Sequence, residues 1–240
     1  MNIEIEHIKE QLSTMGHMDE QIAAMIHAAR KEQPDASGLP KSDLHHDMES
    51  ESSLELEKRE MELHPLMMLD GKRIAFAERP LLNDKISMWL PRTFTEMGER
   101  EIELKYPSSY RPPLILTDPT GEINFSFNLT ASELTDEELE TFISEMVYIL
   151  HHTQKLTEWY GDGMCKVYGQ RLGYCEYMTP VLNARLYNLN FFTPLRGRAL
   201  IGSFNCTEEH MDTWRPVAQR MMNTLKILPS EAKGEETWSK

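Results

Sequence analysis

Histidine, cysteine and closely spaced glycine are the residue types here that could do chemistry, and their spacing argues against most of it. Histidine occurs in two adjacent pairs, His45-His46 followed by Asp47, and His151-His152. Neighbouring residues point to different sides of a helix or strand, so such a pair rarely gives one metal two ligands. His151-His152 follows the last apolar turn of a helical pattern, where a polar or cationic side chain suits the free carbonyls. Cys165, Cys175 and Cys206 show no C-x-x-C spacing and no neighbouring base, so they read as small buried hydrophobes rather than nucleophiles. Gly161-Asp162-Gly163 reads as a tight hairpin connection, because the phosphate-loop pattern and a following helix are both missing. No G-x-S-x-G, H-E-x-x-H or Walker motif occurs. The N-x-[ST] matches at Asn124, Asn128 and Asn205 read as coincidences in the absence of a secretion signal. No catalytic residue, metal site or cofactor is expected.

The chain has 240 residues and a net charge of −14, a balance that repels nucleic acid and anionic membranes. No apolar run approaches the roughly 20 residues that span a bilayer, so membrane insertion is not expected. Three cysteines, an odd number, and an N-terminus without a basic-then-apolar leader point to the reducing cytoplasm. The charge is unevenly spread. Residues 1–65 hold six basic against fifteen acidic side chains and no Phe, Tyr or Trp. Such a stretch cannot build much of a core.

These shifts divide the chain into a helical hairpin at 1–33, an acidic and partly helical linker at 34–65, a globular domain at 66–228 and a disordered tail at 229–240. In the hairpin, Ile22, Met25, Ile26 and Ala29 form an apolar stripe at helical spacing. In the domain, Asp70-Gly71 between apolar runs marks a hairpin. KISMWLP at 85–91 reads as a strand and 99–105 as a short helix. Residues 114–129 form the clearest hairpin, with Ile123, Phe125, Phe127 and Leu129 alternating with polar residues. Thr135 and Glu138 form a capping box for a helix whose stripe is Leu139, Phe142, Ile143, Met146, Val147 and Leu150. Four β-rich runs follow as an antiparallel meander, and a last helix spans 207–226 with Trp214, Val217, Met221 and Leu225 on one side. Consecutive strands at hairpin spacing predict an α+β fold: a central antiparallel β-sheet sandwiched by helices, with an N-terminal helical hairpin extension.

With these elements placed, the chain resembles the PsbP/DcrB-like superfamily. The landmarks run from Lys85 to Leu228: Leu90-Pro91 with Phe94 and Met97, Lys105-Tyr106-Pro107, Arg111-Pro112, and the Asp118-to-Phe127 hairpin with Asn124 and Asn128. Gly202-Ser203-Phe204-Asn205-Cys206, then Trp214 and Pro216, complete them. None is a catalytic signature. The resemblance implies a sheet covered by helices on both faces, in a group that includes photosystem accessory proteins, a Ran-binding protein, bacterial lipoproteins and Eag-type secretion chaperones. It implies protein binding rather than catalysis, and it does not address the acidic extension.

Two features of the residues lean the same way. Sixteen methionines, several clustered at Met15, Met18, Met25, Met61, Met67 and Met68, suit adaptable apolar contacts. Tyr174, Tyr177, Tyr187, Phe191 and Phe192 would form an amphipathic surface if one sheet face stayed open. The expected function is a cytoplasmic adaptor or chaperone-like module that binds a protein through the sheet domain and the helical arm. Residues 3–31, with Ile22, Met25 and Ile26, are expected to support a weak homodimer as well. The alternatives are a small hydrolase built on His152, Asp162 and Cys175, and a structural accessory subunit.

Overall fold

The computed structural model describes residues 63–106, 111–181 and 184–229, and the hairpin stripe and its proposed dimer lie outside them. The first hairpin joins β1 (Leu66–Leu69) to β2 (Lys72–Leu81). Its turn residues Asp70 (φ 47°) and Gly71 (φ 72°) are both left-handed, as a two-residue turn matching strand twist requires. Next come β3 (Ile86–Pro91), the short β4 (Thr95–Glu96), α1 (Glu99–Lys105), β5 (Leu114–Thr117) and β6 (Ile123–Glu133). α2 (Leu139–Thr153) precedes the meander of β7 (Glu158–Val167), β8 (Gln170–Val181), β9 (Ala184–Leu195) and β10 (Arg198–Thr207). α3 (Glu208–Met222) and β11 (Lys226–Ile227) close the described chain.

The architecture is α+β. A seven-stranded antiparallel sheet has the order β4-β5-β6-β10-β9-β8-β7. The first three strands do not join it: with β11 they form a second antiparallel sheet, in the order β1-β2-β3-β11. That second sheet is absent from the single-sheet expectation. Its fourth strand begins at Lys226, read as the end of the last helix, which instead stops at Met222.

The two faces of the large sheet follow from alternation in β6 and its neighbours. Ile123, Phe125 and Phe127 point into the main core with Phe191 of β9 and Phe204 of β10. There Trp214, Val217 and Met221 of α3 and Met88 and Leu90 of β3 meet them, so α3 and the small sheet share this face. On the opposite face Leu139, Phe142, Ile143, Met146 and Leu150 of α2 pack on Cys175, Tyr177, Phe192 and Ile201. Phe125 and Phe127 stack at 5.0 Å between ring centroids, and Phe142 meets Phe192 edge-on at 5.7 Å.

Beyond the reach of α2, the same face carries amides and hydroxyls. Asn124, Asn205 and Asn188 are cross-strand partners, and so are Ser126, Ser203 and Asn190. Asn124 Nδ2 donates to Asn205 Oδ1 at 3.1 Å, and both residues are buried, which withdraws these two asparagines from any glycosylation role.

Two local expectations change. Gly161-Asp162-Gly163 is not a turn: it lies inside β7, and the β7–β8 reversal falls at Tyr168-Gly169. The capping box forms by half. Thr135 donates from both its N–H and its hydroxyl to Glu138 Oε2, at 3.1 Å each, while α2 itself starts one residue after Glu138.

Candidate functional site

Tyr177, Tyr187, Phe191 and Phe192 are fully buried, which corrects the expected open aromatic face. Packing is the reason. α2 lies over Tyr177 and Phe192, and the core under α3 takes Tyr187 and Phe191. Tyr174 alone among the five is half-buried. Ile22, Met25 and Ile26 lie outside the described residues.

The residues of the hydrolase alternative each spend their contacts elsewhere. His152 Nδ1 lies 2.8 Å from the Tyr148 carbonyl oxygen, and its ring stacks on Tyr148 at 3.9 Å. Asp162 Oδ1 accepts from Trp159 Nε1 at 3.3 Å. Cys175 lies opposite Asp162 across the strands, and burial, then the Asp162 and Glu176 carboxylates, pushes its thiol up. An activated nucleophile needs the opposite shift.

A buried polar knot fastens α3 to the sheet. Glu176 of β8 accepts from Tyr187 Oη at 2.7 Å, from Arg215 Nε at 2.8 Å and from Gln219 Nε2 at 2.7 Å. Burial and this carboxylate push the Tyr187 phenol up. The Arg215 guanidinium also sits 4.7 Å over the Tyr160 ring, a cation–π contact. Tyr160 Oη donates to Glu158 at 2.6 Å, and burial followed by that bond pushes its phenol up to about 12. Arg185 then bridges Glu158 to Glu208 at the start of α3. The base of β7 is thus tied to β9 and α3.

What this frame presents is the outer edge of β7. It is the last strand of the large sheet, ten residues long, and among the described residues no strand pairs with its far side. Its N–H and C=O groups on that side form a template for another strand. A register shift between Trp159 and Gly161 bends the strand near its start.

Along the edge and on α2 sit half-buried and exposed groups of the kinds that anchor protein interfaces. Trp159 stacks parallel on Tyr177 at 5.8 Å and carries the His151 ring at 4.4 Å. Tyr148 of α2 is 64% exposed, and Met164 of β7 is 41% exposed with Arg171 against its sulfur. Aromatic, Met and Arg side chains are enriched at interfaces. The sequence reading missed this site because it read 161–163 as a turn. The available signal was the pair of strand-forming runs on either side of the glycines, Trp159-Tyr160 before them and Met164-Cys165 with Val167 after. One set of side chains among the described residues could hold a metal ion, Glu122, Glu209 and His210, at the opposite end of α3 from β11.

Fold and edge together define an α+β sandwich of two antiparallel sheets with one long uncovered strand. No protein-family model matches this chain, and no curated protein sequence does either. Solved structures do. The chain is similar to cyanobacterial PsbP (CyanoP) from Synechocystis sp. PCC 6803, with 14% identity and a TM-score of 0.46 over 63% of this chain and 92% of that one. It is similar to LpqN, involved in cell envelope biogenesis of Mycobacterium tuberculosis, with 14% identity and a TM-score of 0.42 over 64% and 92% of the two chains. The immunity protein TplEi of Pseudomonas aeruginosa matches at 10% identity and a TM-score of 0.33, over 75% of this chain and 83% of that chain. These likenesses concern the fold, and they include the PsbP fold to which the sequence resemblance pointed.

Proposed function

We propose that this chain is a non-catalytic protein-binding module that captures an extended segment of a partner along the outer edge of β7. The observation that carries the reading is a ten-residue edge strand that bears a half-buried Trp159 and an exposed Met164. Strand addition draws affinity from main-chain hydrogen bonds and specificity from side-chain contacts on alternate positions. With a net charge of −14, the module favours a neutral or basic segment. Its three free thiols suit the cytoplasm, where we place it. No helix among the described residues is long and apolar enough to cross a membrane.

The test is peptide-display selection against the full chain, followed by amide hydrogen exchange on the winners. Bound peptides should slow exchange across 158–167. A Trp159→Ala/Met164→Lys variant should weaken binding by roughly thirtyfold, the loss expected of a hot-spot residue. Peptides that bind without protecting β7, or that ignore the double variant, would refute the assignment.

A further inference from the structure

We propose that the first turn of α3 and the two hairpins that meet it form a divalent-cation site of the zinc class, with Glu122, Glu209 and His210 as ligands. One ligand atom from each of the three lies within 4.8 Å of the others. His210 Nε2 is 3.0 Å from Glu122 Oε2, and its other nitrogen, Nδ1, is 3.7 Å from Asp70 Oδ2. Asp70 is held in turn by Thr213, one turn further along α3, whose hydroxyl donates to Oδ1 at 2.6 Å.

His210 stands between two carboxylates, with Glu122 Oε2 at its Nε2 and Asp70 Oδ2 beyond its Nδ1, and Glu209 brings a third to the same end of α3.

The distances agree with an ion. Zinc–nitrogen and zinc–oxygen bonds of about 2.0–2.1 Å place tetrahedral ligand atoms about 3.3 Å apart. The 3.0 Å between Nε2 and Oε2 is a direct hydrogen bond, and with an ion between them the pair opens by about 0.3 Å to reach that spacing. One imidazole nitrogen and two carboxylate oxygens are a donor set for zinc, and Asp70, 3.7 Å from Nδ1, is placed to close on it as the outer-shell carboxylate that zinc-bound histidines commonly keep. Glu122 leads into β6, Asp70 sits in the β1–β2 turn, and Glu209 and His210 start α3. The ion would clip the small sheet, the large sheet and the helix together, away from the β7 edge.

The full chain, stripped with a chelator, is titrated with Zn²⁺ against a chromophoric competitor. Because nine histidines could bind zinc, the reading is a difference between variants. Wild type should hold one equivalent that Glu122→Gln and His210→Gln bind at least tenfold more weakly, while His152→Gln keeps it. One equivalent of zinc should raise the melting temperature of wild type and of His152→Gln only. Glu122→Gln is isosteric at a side chain 47% exposed, so its zinc-free melt should match wild type and separate a lost ligand from a lost fold. Equal stoichiometry and affinity in wild type and both ligand variants would overturn the site.

Discussion

Gly202→Ala probes how tightly the main core closes on α3. Gly202 lies on β10 opposite Phe191 of β9 and Phe127 of β6. A Cβ added there would stand 1.9 Å from Phe191 Cζ and 2.4 Å from Cε1 and Cε2. Ordinary contact begins near 3.4 Å, so the ring must retreat by more than an ångström. It has nowhere to go. Phe191 is fully buried, with Phe125 and Phe127 at 5.9 and 6.4 Å between centroids. Overpacking by a methylene typically costs about 1–3 kcal/mol, and rigid rings around the added methyl argue for the upper end, ~3 kcal/mol. Urea denaturation at an unchanged m-value would read this directly. Phe191→Leu in the same chain frees the space, so the double variant should be less destabilised than the two single losses added, by at least ~1 kcal/mol. A Gly202→Ala midpoint close to wild type, or strict additivity in the double variant, would refute the packing argument.

Phe127→Ala should cost about 3–5 kcal/mol, because its fully buried ring loses the stack on Phe125. Val147→Ala should cost only about 1 kcal/mol, since Val147 sits partly exposed at the rim of the α2 cluster; equal losses in denaturant would show the faces wrongly assigned. The β5–β6 turn gives a pH prediction. Burial pushes the Asp118 carboxyl up, but the Thr120 hydroxyl and the N–H groups of Ile123, Thr120 and Glu122 outweigh it and hold the group below its ordinary value. Its contribution is therefore complete above the unfolded value of about 3.9 and is lost as pH falls through the lower folded one. Stability measured against Asp118→Asn should differ most at neutral pH, by ~1 kcal/mol, and the gap should close below about pH 4. A gap constant from pH 7 to pH 2 would mean the charge plays no part.

Most of the fold was legible because alternation and turn chemistry act locally. Asp70-Gly71, the period of two in Ile123-Phe125-Phe127 and the α2 stripe each specify an element without reference to the rest. What escaped was long-range pairing. Lys226 and Ile227 pair with Ser87 and Ile86 across most of the domain, and nothing local distinguishes two such residues from a helix end. The candidate site escaped for a related reason. Whether Tyr187 or Trp159 meets solvent depends on where α2 and α3 dock, and aromatic content alone does not reveal that. Gly161 and Gly163 misled because glycine signals a turn as readily as it signals a strand with bare positions.

Closing both faces of the large sheet moves binding to its edges, and the two edges are unequal. β4 is two residues long, whereas β7 offers ten. A long bare edge invites pairing with any chain, and proteins deter this with charges and bulges. β7 has both: Glu158, Asp162 and Lys166 are exposed along it, and its register shifts between Trp159 and Gly161. Two copies paired antiparallel about Asp162 would set that residue against its own copy, a like-charge contact, while setting Glu158 against Lys166 on either side. A foreign strand with a basic residue at that position meets no such penalty. Asp162 stands exposed in the middle of the edge, so a Lys- or Arg-bearing extended segment is the ligand class we expect the selection to return.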